Sequence, residues 1–413
     1  MSKKSEGTGT KFIEGVSLTE IASEFGTPSY LYSFSKIAEN TRKYLSSVRK
    51  KDLVCYSVKS NSNLHILKLI SDLGCGFDVV SGNELKRCVE IGADPKKIIF
   101  SGVGKSYEEL KLAAQLGIYS INIESEGELE RLSSIAKELD LVIDCAIRVN
   151  PDIASGSHPY IETGKKNSKF GLSTKNTLHA ANRLNKDPHI NLIGLAAHIG
   201  SQITNPSLLI KTLECLLEIR DQIPQKEEIN FLDLGGGLGI SYKEEQDADI
   251  KQIISEIIQN LENKKIKLLF EPGRSIVGNA GILLSKVEYI KKTESKNFAI
   301  IDAAMNDIMR PSLYDAWHDV TTVKTQNDLS ELLIYDVAGP ICESADILAK
   351  GRELDLKEGS LLIIKDVGAY GFSMSSNYNS RTRPAEILIK EGRAKLIRSR
   401  ETFEDIIAQE KIK

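Results

Sequence analysis

Between Leu53 and Glu271 eight short apolar segments alternate with amphipathic stretches, and this rhythm leaves few folds open to the chain. The segments are Val54 to Val58, Phe77 to Val80, Ile98 to Phe100, Ser120 to Ile123, Ile143 to Val149, Leu192 to His198, Ile229 to Leu234 and Leu268 to Glu271. Helix-period stretches fill the gaps: Leu64 to Leu73, Gly82 to Ile91, Tyr107 to Leu116, Glu126 to Leu139, Ser207 to Ile223 and Asp249 to Leu261. Strand-helix alternation is the pattern of a parallel sheet. Eight such units suit a closed (β/α)8 barrel, an α/β fold of about 250 residues; a doubly wound open sheet is the alternative. A barrel places its chemistry where strands end and loops begin. Lys59, Asp78, Arg148, Asn150, His198, the glycines Gly235 to Gly237 and Glu271 all fall at or near such positions.

Beyond Glu271 the texture becomes β-rich, with Ile282 to Ile290, Asn297 to Asp302, Glu331 to Ala338 and Ser360 to Val367 separated by Gly, Pro and charged turns. This predicts a second, mainly β domain. The apolar segment Ser29 to Ser33 is expected to join it. The expected partition is 1–33 (tail and strand), 34–279 (barrel) and 280–413 (β domain), with Met1 to Thr10 disordered. A chain of 413 residues, 41% hydrophobic and 27% charged, has material for two such cores. Its net charge of −3 and lack of a basic block argue against nucleic acid as a partner. No apolar run approaches the roughly eighteen residues of a membrane helix, and the polar N-terminus lacks a signal core, so a cytoplasmic location is expected. The six cysteines show neither a C-x-x-C pair nor metal-ligand spacing, and no metal is expected.

Three local signals converge. Lys59 follows an apolar strand, where burial lowers an ammonium pKa enough for imine formation; alone, such a lysine is more often a solvated one. Phe231 to Leu234 runs into three glycines whose backbone N–H groups can approach a phosphate, although glycines also simply make a tight turn. Glu271, in Glu271-Pro272-Gly273-Arg274, ends the last strand with a carboxylate that could pair with Arg274 or with a pyridinium nitrogen. An imine-forming lysine, a phosphate cradle and a ring-nitrogen carboxylate at one barrel mouth are what pyridoxal 5'-phosphate requires.

With these residues in place, the chain resembles the fold-type III pyridoxal enzymes, the alanine racemase-like group that includes the ornithine/diaminopimelate/arginine decarboxylases, and most closely the diaminopimelate decarboxylase family. The resemblance runs from Tyr30 to Leu388 through Y-S-V-K-S-N at Lys59, F-D-V-V-S-G-N-E at Asp78, H-I-G-S-Q at His198, G-G-G-L-G-I at Gly235, E-P-G-R at Glu271, R-P-S-L-Y at Arg310, C-E-S-A-D at Cys342 and G-A-Y at Tyr370. It implies that Lys59 forms the imine, that His198 stacks on the ring, and that Asp78 belongs to the cofactor site. It further implies that Ser201, Gly235, Gly236, Gly237, Gly273, Arg274 and Tyr370 hold the phosphate and that Glu271 meets the ring nitrogen. The motif departs from its common form at Ser57 and Ser60, where alanines are usual; both replacements are small, and a hydroxyl near the imine can shift its pKa.

The implied reaction is decarboxylation of meso-2,6-diaminopimelate to L-lysine and carbon dioxide, with the Cys342 thiol returning the proton. The far end of that substrate carries both charges. Arg274, Arg310, Tyr314 and Tyr370 are the candidates for its carboxylate side, and Glu343 for the ammonium. Another basic amino acid or a carboxylated polyamine is the alternative substrate, expected with loss of the Arg310 and Tyr314 pair. A racemase of this fold would carry arginine where Glu271 stands, and a non-catalytic pyridoxal-binding homologue would have lost Lys59 or Cys342. The resemblance also implies a homodimer with composite active sites. The aperiodic stretch Asn150 to Gly171, with His158 and Lys165-Lys166, exceeds the usual loop of about 2 to 6 residues and reads as a lid.

Overall fold

The computed structural model describes residues 11–154, 163–164, 168–203, 205–243, 248–261, 265–323 and 331–412. The expected disordered tail Met1 to Thr10, and His158 with Lys165-Lys166 of the expected lid, lie outside them. By spatial clustering the chain divides into two units, one formed by Ala38–Ile240 with Gln246–Ile276, the other by Met1–Ile37, Ser241–Glu245 and Val277–Lys413.

The first unit is a closed barrel of eight parallel strands: β1 (Leu53–Ser57), β2 (Gly76–Val79), β3 (Ile98–Phe100), β4 (Ser120–Ile123), β5 (Ile143–Arg148), β6 (Ile190–Ala196), β7 (Phe231–Asp233) and β8 (Lys267–Phe270). Each pairs with its sequence neighbour, and β8 closes on β1. Cys55, Ile99, Ala146, Phe231 and Leu269 pack together inside. Gly194 in β6 makes room for Phe231, whose ring would lie 2.2 Å from a Cβ at that position. The connecting helices are fixed locally by N-caps such as Ser81, Ser106, Ser125 and Asp249, whose side chains accept backbone N–H bonds from the first turn.

Several strands stop earlier than hydropathy indicates. β1 ends at Ser57, and Lys59 sits in a tight turn, Val58–Ser60, closed by the Ser60 hydroxyl on the Ser57 carbonyl. β6 ends at Ala196, two residues short of His198, because its neighbour β7 runs for only three residues before Gly235 turns the chain away at φ 67. Glu271 likewise follows β8 rather than closing it. Helices Phe34–Ser47 and Thr174–Leu184 lie outside the predicted set.

The second unit is built on a sheet whose principal path runs Ile347–Asp355, Leu332–Ala338, Asn297–Ile301, Gly281–Lys292, Ser29–Ser33, Ala385–Lys390 and Arg393–Arg398. Leu361–Ile364 pairs with Gly281–Lys292 and with Val320–Thr322. Ser29–Ser33 lies between Gly281–Lys292 and Ala385–Lys390, so the N-terminal strand is a central member. Its Leu31 packs with Leu18, Ile21, Leu284, Ile363 and Ile387. No helix among the described residues is long and apolar enough to cross a membrane.

Candidate active site

A cavity of about 510 Å³ at the barrel mouth is lined by Lys59, Asn122, Arg148, His198, Asp233 and Glu271, among others. Lys59 Nζ lies 2.6 Å from Asp78 Oδ2. The Ser57 hydroxyl is 2.9 Å from that same oxygen and 3.0 Å from the Glu271 carbonyl. Burial alone would push the Asp78 carboxyl up, but the Lys59 ammonium and the bonds from Lys59 and Ser57 hold it below the ordinary carboxylate value. Ser57, one of the two departures from the alanine motif, is thus tied to the lysine's counter-ion. Ser60 instead bonds Tyr56 and the backbone.

Three carboxyl groups approach this centre, Asp78 from β2, Asp233 from the end of β7 and Glu271 from the residue after β8. Burial pushes Asp233 up to about 6, and its charge helps burial to drive Glu271 well above the ordinary range. A side-chain hydrogen bond joins the two carboxyl groups. Glu271 Oε1, Asp78 Oδ1 and Asp233 Oδ2 are buried and receive no N–H or hydroxyl donor among the described residues, an arrangement that suits a donor from a bound group. His198 is driven down to about 3 by burial and by the charges of Lys59 and Arg148, so it is neutral. Its Nδ1 accepts the Gly236 N–H at 3.2 Å, which leaves the ring proton on Nε2.

The glycines do more than was read into them. The Gly235 N–H is bound to Asp233 Oδ1 at 2.8 Å and that of Gly236 to His198, so two of the three orient side chains of the site. All three are sterically required: a Cβ at Gly236 would lie 2.0 Å from the Glu271 carbonyl, at Gly237 2.4 Å from the Gly200 carbonyl, and at Gly235 2.7 Å from the Ala197 carbonyl. Gly236→Ala is therefore expected to destabilise the protein by at least about 1–3 kcal/mol through overpacking. A thermal unfolding midpoint equal to that of the unaltered protein would contradict this contact. Nearby, Arg274 Nη2 reaches the Ser201 hydroxyl at 3.0 Å, and Gly273 lies where a Cβ would be 3.0 Å from Ser57 and Ser60. Glu271 thus engages Asp233, not the Arg274 partner that the sequence also allowed.

Sequence reasoning assigned no role to Asp233, nor to the buried pair Arg148–Glu124 at 2.7 Å, whose guanidinium carries the Phe170 ring at 4.8 Å. A signal existed. Glu124 and Arg148 occupy equivalent places on adjacent strands, one residue past the Ile123–Ile147 register pair.

The remaining candidates belong to the β unit. Arg310 is buried at the start of the short helix Arg310–Tyr314. Cys342 is the one exposed cysteine of six and donates its N–H to Asn379. Its loop is anchored by buried Asp346, which accepts from the Ile341 and Met305 N–H groups. Glu343 is exposed and accepts from the Tyr378 hydroxyl. Tyr370 takes a positive φ of 56 in the loop after Leu361–Ile364.

Residues 34–278 match the model of the pyridoxal-dependent decarboxylase family, pyridoxal binding domain. A diaminopimelate decarboxylase of Pseudomonas aeruginosa is 46% identical over 403 residues, 97% of each chain. The crystal structure of diaminopimelate decarboxylase from Helicobacter pylori complexed with L-lysine superposes with a TM-score of 0.91 at 38% identity, covering 95% of this chain and 98% of that one. That of M. jannaschii in co-complex with L-lysine gives 0.92 at 38% identity, covering 99% and 98%.

Proposed function

The chain belongs to the pyridoxal-dependent diaminopimelate decarboxylases, which release carbon dioxide from meso-2,6-diaminopimelate and leave L-lysine, and from that premise we propose how its residues divide the work. The observation that carries the assignment is the cavity in which Lys59 faces Asp78 while the buried Glu271 Oε1 receives no N–H or hydroxyl donor among the described residues. Pyridoxal 5'-phosphate supplies a carbonyl that takes the substrate amine and a ring that accepts the electron pair left when the carboxylate departs. Lys59 would hold the carbonyl carbon, with Asp78 as counter-ion for its ammonium. Glu271 would meet the ring nitrogen and keep it protonated, with Asp233 holding Glu271 in place. Neutral His198 offers a flat face without a second positive charge, and the bond from Gly236 fixes its plane. Ser201, Gly235, Gly236, Gly237, Gly273, Arg274 and Tyr370 would receive the phosphate, and Cys342 would return a proton to the substrate carbon.

Arg310 and Tyr314, with Arg274 and Tyr370, would bind the distal carboxylate, and Glu343 the distal ammonium. The protein would work as a cytoplasmic homodimer in which the exposed Cys342 loop of one subunit completes the site of the other. Offering purified protein with the cofactor meso-diaminopimelate, ornithine, arginine and lysine, and measuring carbon dioxide, tests the reading: release from the first alone is expected. Faster release from ornithine would overturn it. Removing the guanidinium in Arg310→Ala leaves a carboxylate unpaired in a desolvated pocket, a loss of roughly 2 to 5 kcal/mol. At least a tenfold fall in kcat/KM is therefore expected, with the cofactor's absorbance unchanged; unaltered kinetics would place the distal pocket elsewhere.

A further inference from the structure

Arg310 does not stand alone in the β unit. Its Nη1 lies 2.7 Å from His318 Nε2, and His318 Nδ1 lies 2.8 Å from the Lys365 carbonyl. A carbonyl only accepts, so Nδ1 carries the ring proton; Nε2 then presents a lone pair, and the guanidinium donates to it. This makes His318 a neutral acceptor, which fixes the direction of a guanidinium without cancelling its charge as a carboxylate would. Tyr242 supplies the second restraint, with its ring centroid 4.7 Å from the Arg310 guanidinium carbon and His318 edge-on at 5.4 Å. The clamp is itself held: His318 is fully buried, and its carbonyl accepts from Arg352 Nη2 at 3.0 Å.

We infer that His318 is a specificity-determining positioning residue, which aims the Arg310 guanidinium at the distal carboxylate of the substrate. The inference rests on the assignment of Arg310 above and adds the residue that sets its orientation. An arginine side chain has several rotatable bonds, and a bidentate grip on a carboxylate needs the planar fork held in one orientation. A neutral acceptor against one arm does this without cancelling the charge that recognises a carboxylate.

The test compares two probes that differ only in the distal carboxylate, L-lysine and pentane-1,5-diamine. Their binding to the holoenzyme is followed by the change in the cofactor's visible absorbance. His318→Phe keeps a ring beside Tyr242 but removes both nitrogens. It is expected to weaken L-lysine binding about tenfold and to raise KM for meso-diaminopimelate more than it lowers kcat, while diamine binding stays unchanged. In an Arg310→Ala background the same change should add nothing, because residues acting through one contact are not additive. If Arg310→Ala weakens L-lysine but His318→Phe does not, or if the two losses simply add, the role of His318 is overturned. Equal weakening of both probes would likewise reduce His318 to a structural residue. If Arg310→Ala itself leaves L-lysine binding unaltered, the distal-carboxylate assignment fails first. Should His318→Phe not fold, His318→Gln, which retains a donor and an acceptor, is expected to keep discrimination between the probes; its loss in folded His318→Gln protein would sink the inference.

Discussion

Lys59→Ala protein is expected to turn over meso-diaminopimelate at least on the order of a thousandfold more slowly and to lose all borohydride-fixable cofactor. The same treatment of the unaltered protein should attach the cofactor to the peptide carrying Lys59. The substitution has a structural effect that must be separated from the chemical one. Asp78 is fully buried, Lys59 Nζ sits 2.6 Å from its Oδ2, and among the described residues the Ser57 hydroxyl would remain as donor to that atom. Orphaning a buried acceptor costs about 1–3 kcal/mol, more when it is charged. Because the folded Asp78 carboxyl is held below its ordinary value, its contribution is fully present above about pH 4 and is lost as pH falls through the folded value. Lys59→Ala should therefore lower the unfolding midpoint at neutral pH and flatten the acid limb of its pH dependence. Adding Asp78→Asn should restore much of the midpoint and none of the activity. Cofactor still fixed by borohydride in the Lys59→Ala protein, or turnover within tenfold of normal, would show that another group forms the bond.

The barrel was legible because its signal is local. Apolar segments of strand length separated by helix-period stretches need no knowledge of distant contacts, and all eight strands were found. What hydropathy missed depends on partners. Ile347–Asp355 contains Lys350-Gly351-Arg352-Glu353, which looks like a turn by composition and is held as a strand by its ladder with Leu332–Ala338. The helix Phe34–Ser47 is largely polar along its length, and its capping residue Ser33, whose hydroxyl accepts the Lys36 N–H at 3.1 Å, is also the last residue of a strand. Strand ends were overrun at Val58, His198 and Glu271, because sheet pairing, not side-chain type, decides where the last ladder bond falls.

The same distinction holds within the site. Lys59, His198 and Glu271 were found from motifs, and the cavity gathers them. Asp233 lay in the segment Phe231 to Leu234 without a role, since its partnership with Glu271 arises only when β7 and β8 lie side by side in the closed barrel. His318 gave less still. Its donor, Arg310, is eight residues away, but the acceptor that fixes its tautomer is the Lys365 backbone carbonyl, 47 residues on, and a carbonyl has no sequence signature.

Mixing Lys59→Ala and Cys342→Ala subunits, each expected to be inactive alone, is expected to restore activity. The reason lies in where the two residues sit. Lys59 lines the barrel cavity, whereas Cys342 is exposed on a loop of the β unit, and an exposed thiol cannot return a proton to a carbon that must be shielded from water unless something covers it. The loop is well suited to insertion: Asp346 ties its base to the Ile341 and Met305 N–H groups, and Gly339 sits where a Cβ would strike Asp346 and Ala304. It can thus be presented to a partner as a preformed element. In a two-fold dimer each subunit gives and receives the same loop. A mixed dimer then holds one site with both defects and one with neither. With half of all dimers mixed, recovery should reach roughly a quarter of the unaltered activity. The measurement is carbon dioxide release after subunit exchange, with exchange verified independently by mass-labelled subunits. If exchange is complete and no activity returns, each site is built within a single chain, and the thiol would have to reach its carbon within its own subunit.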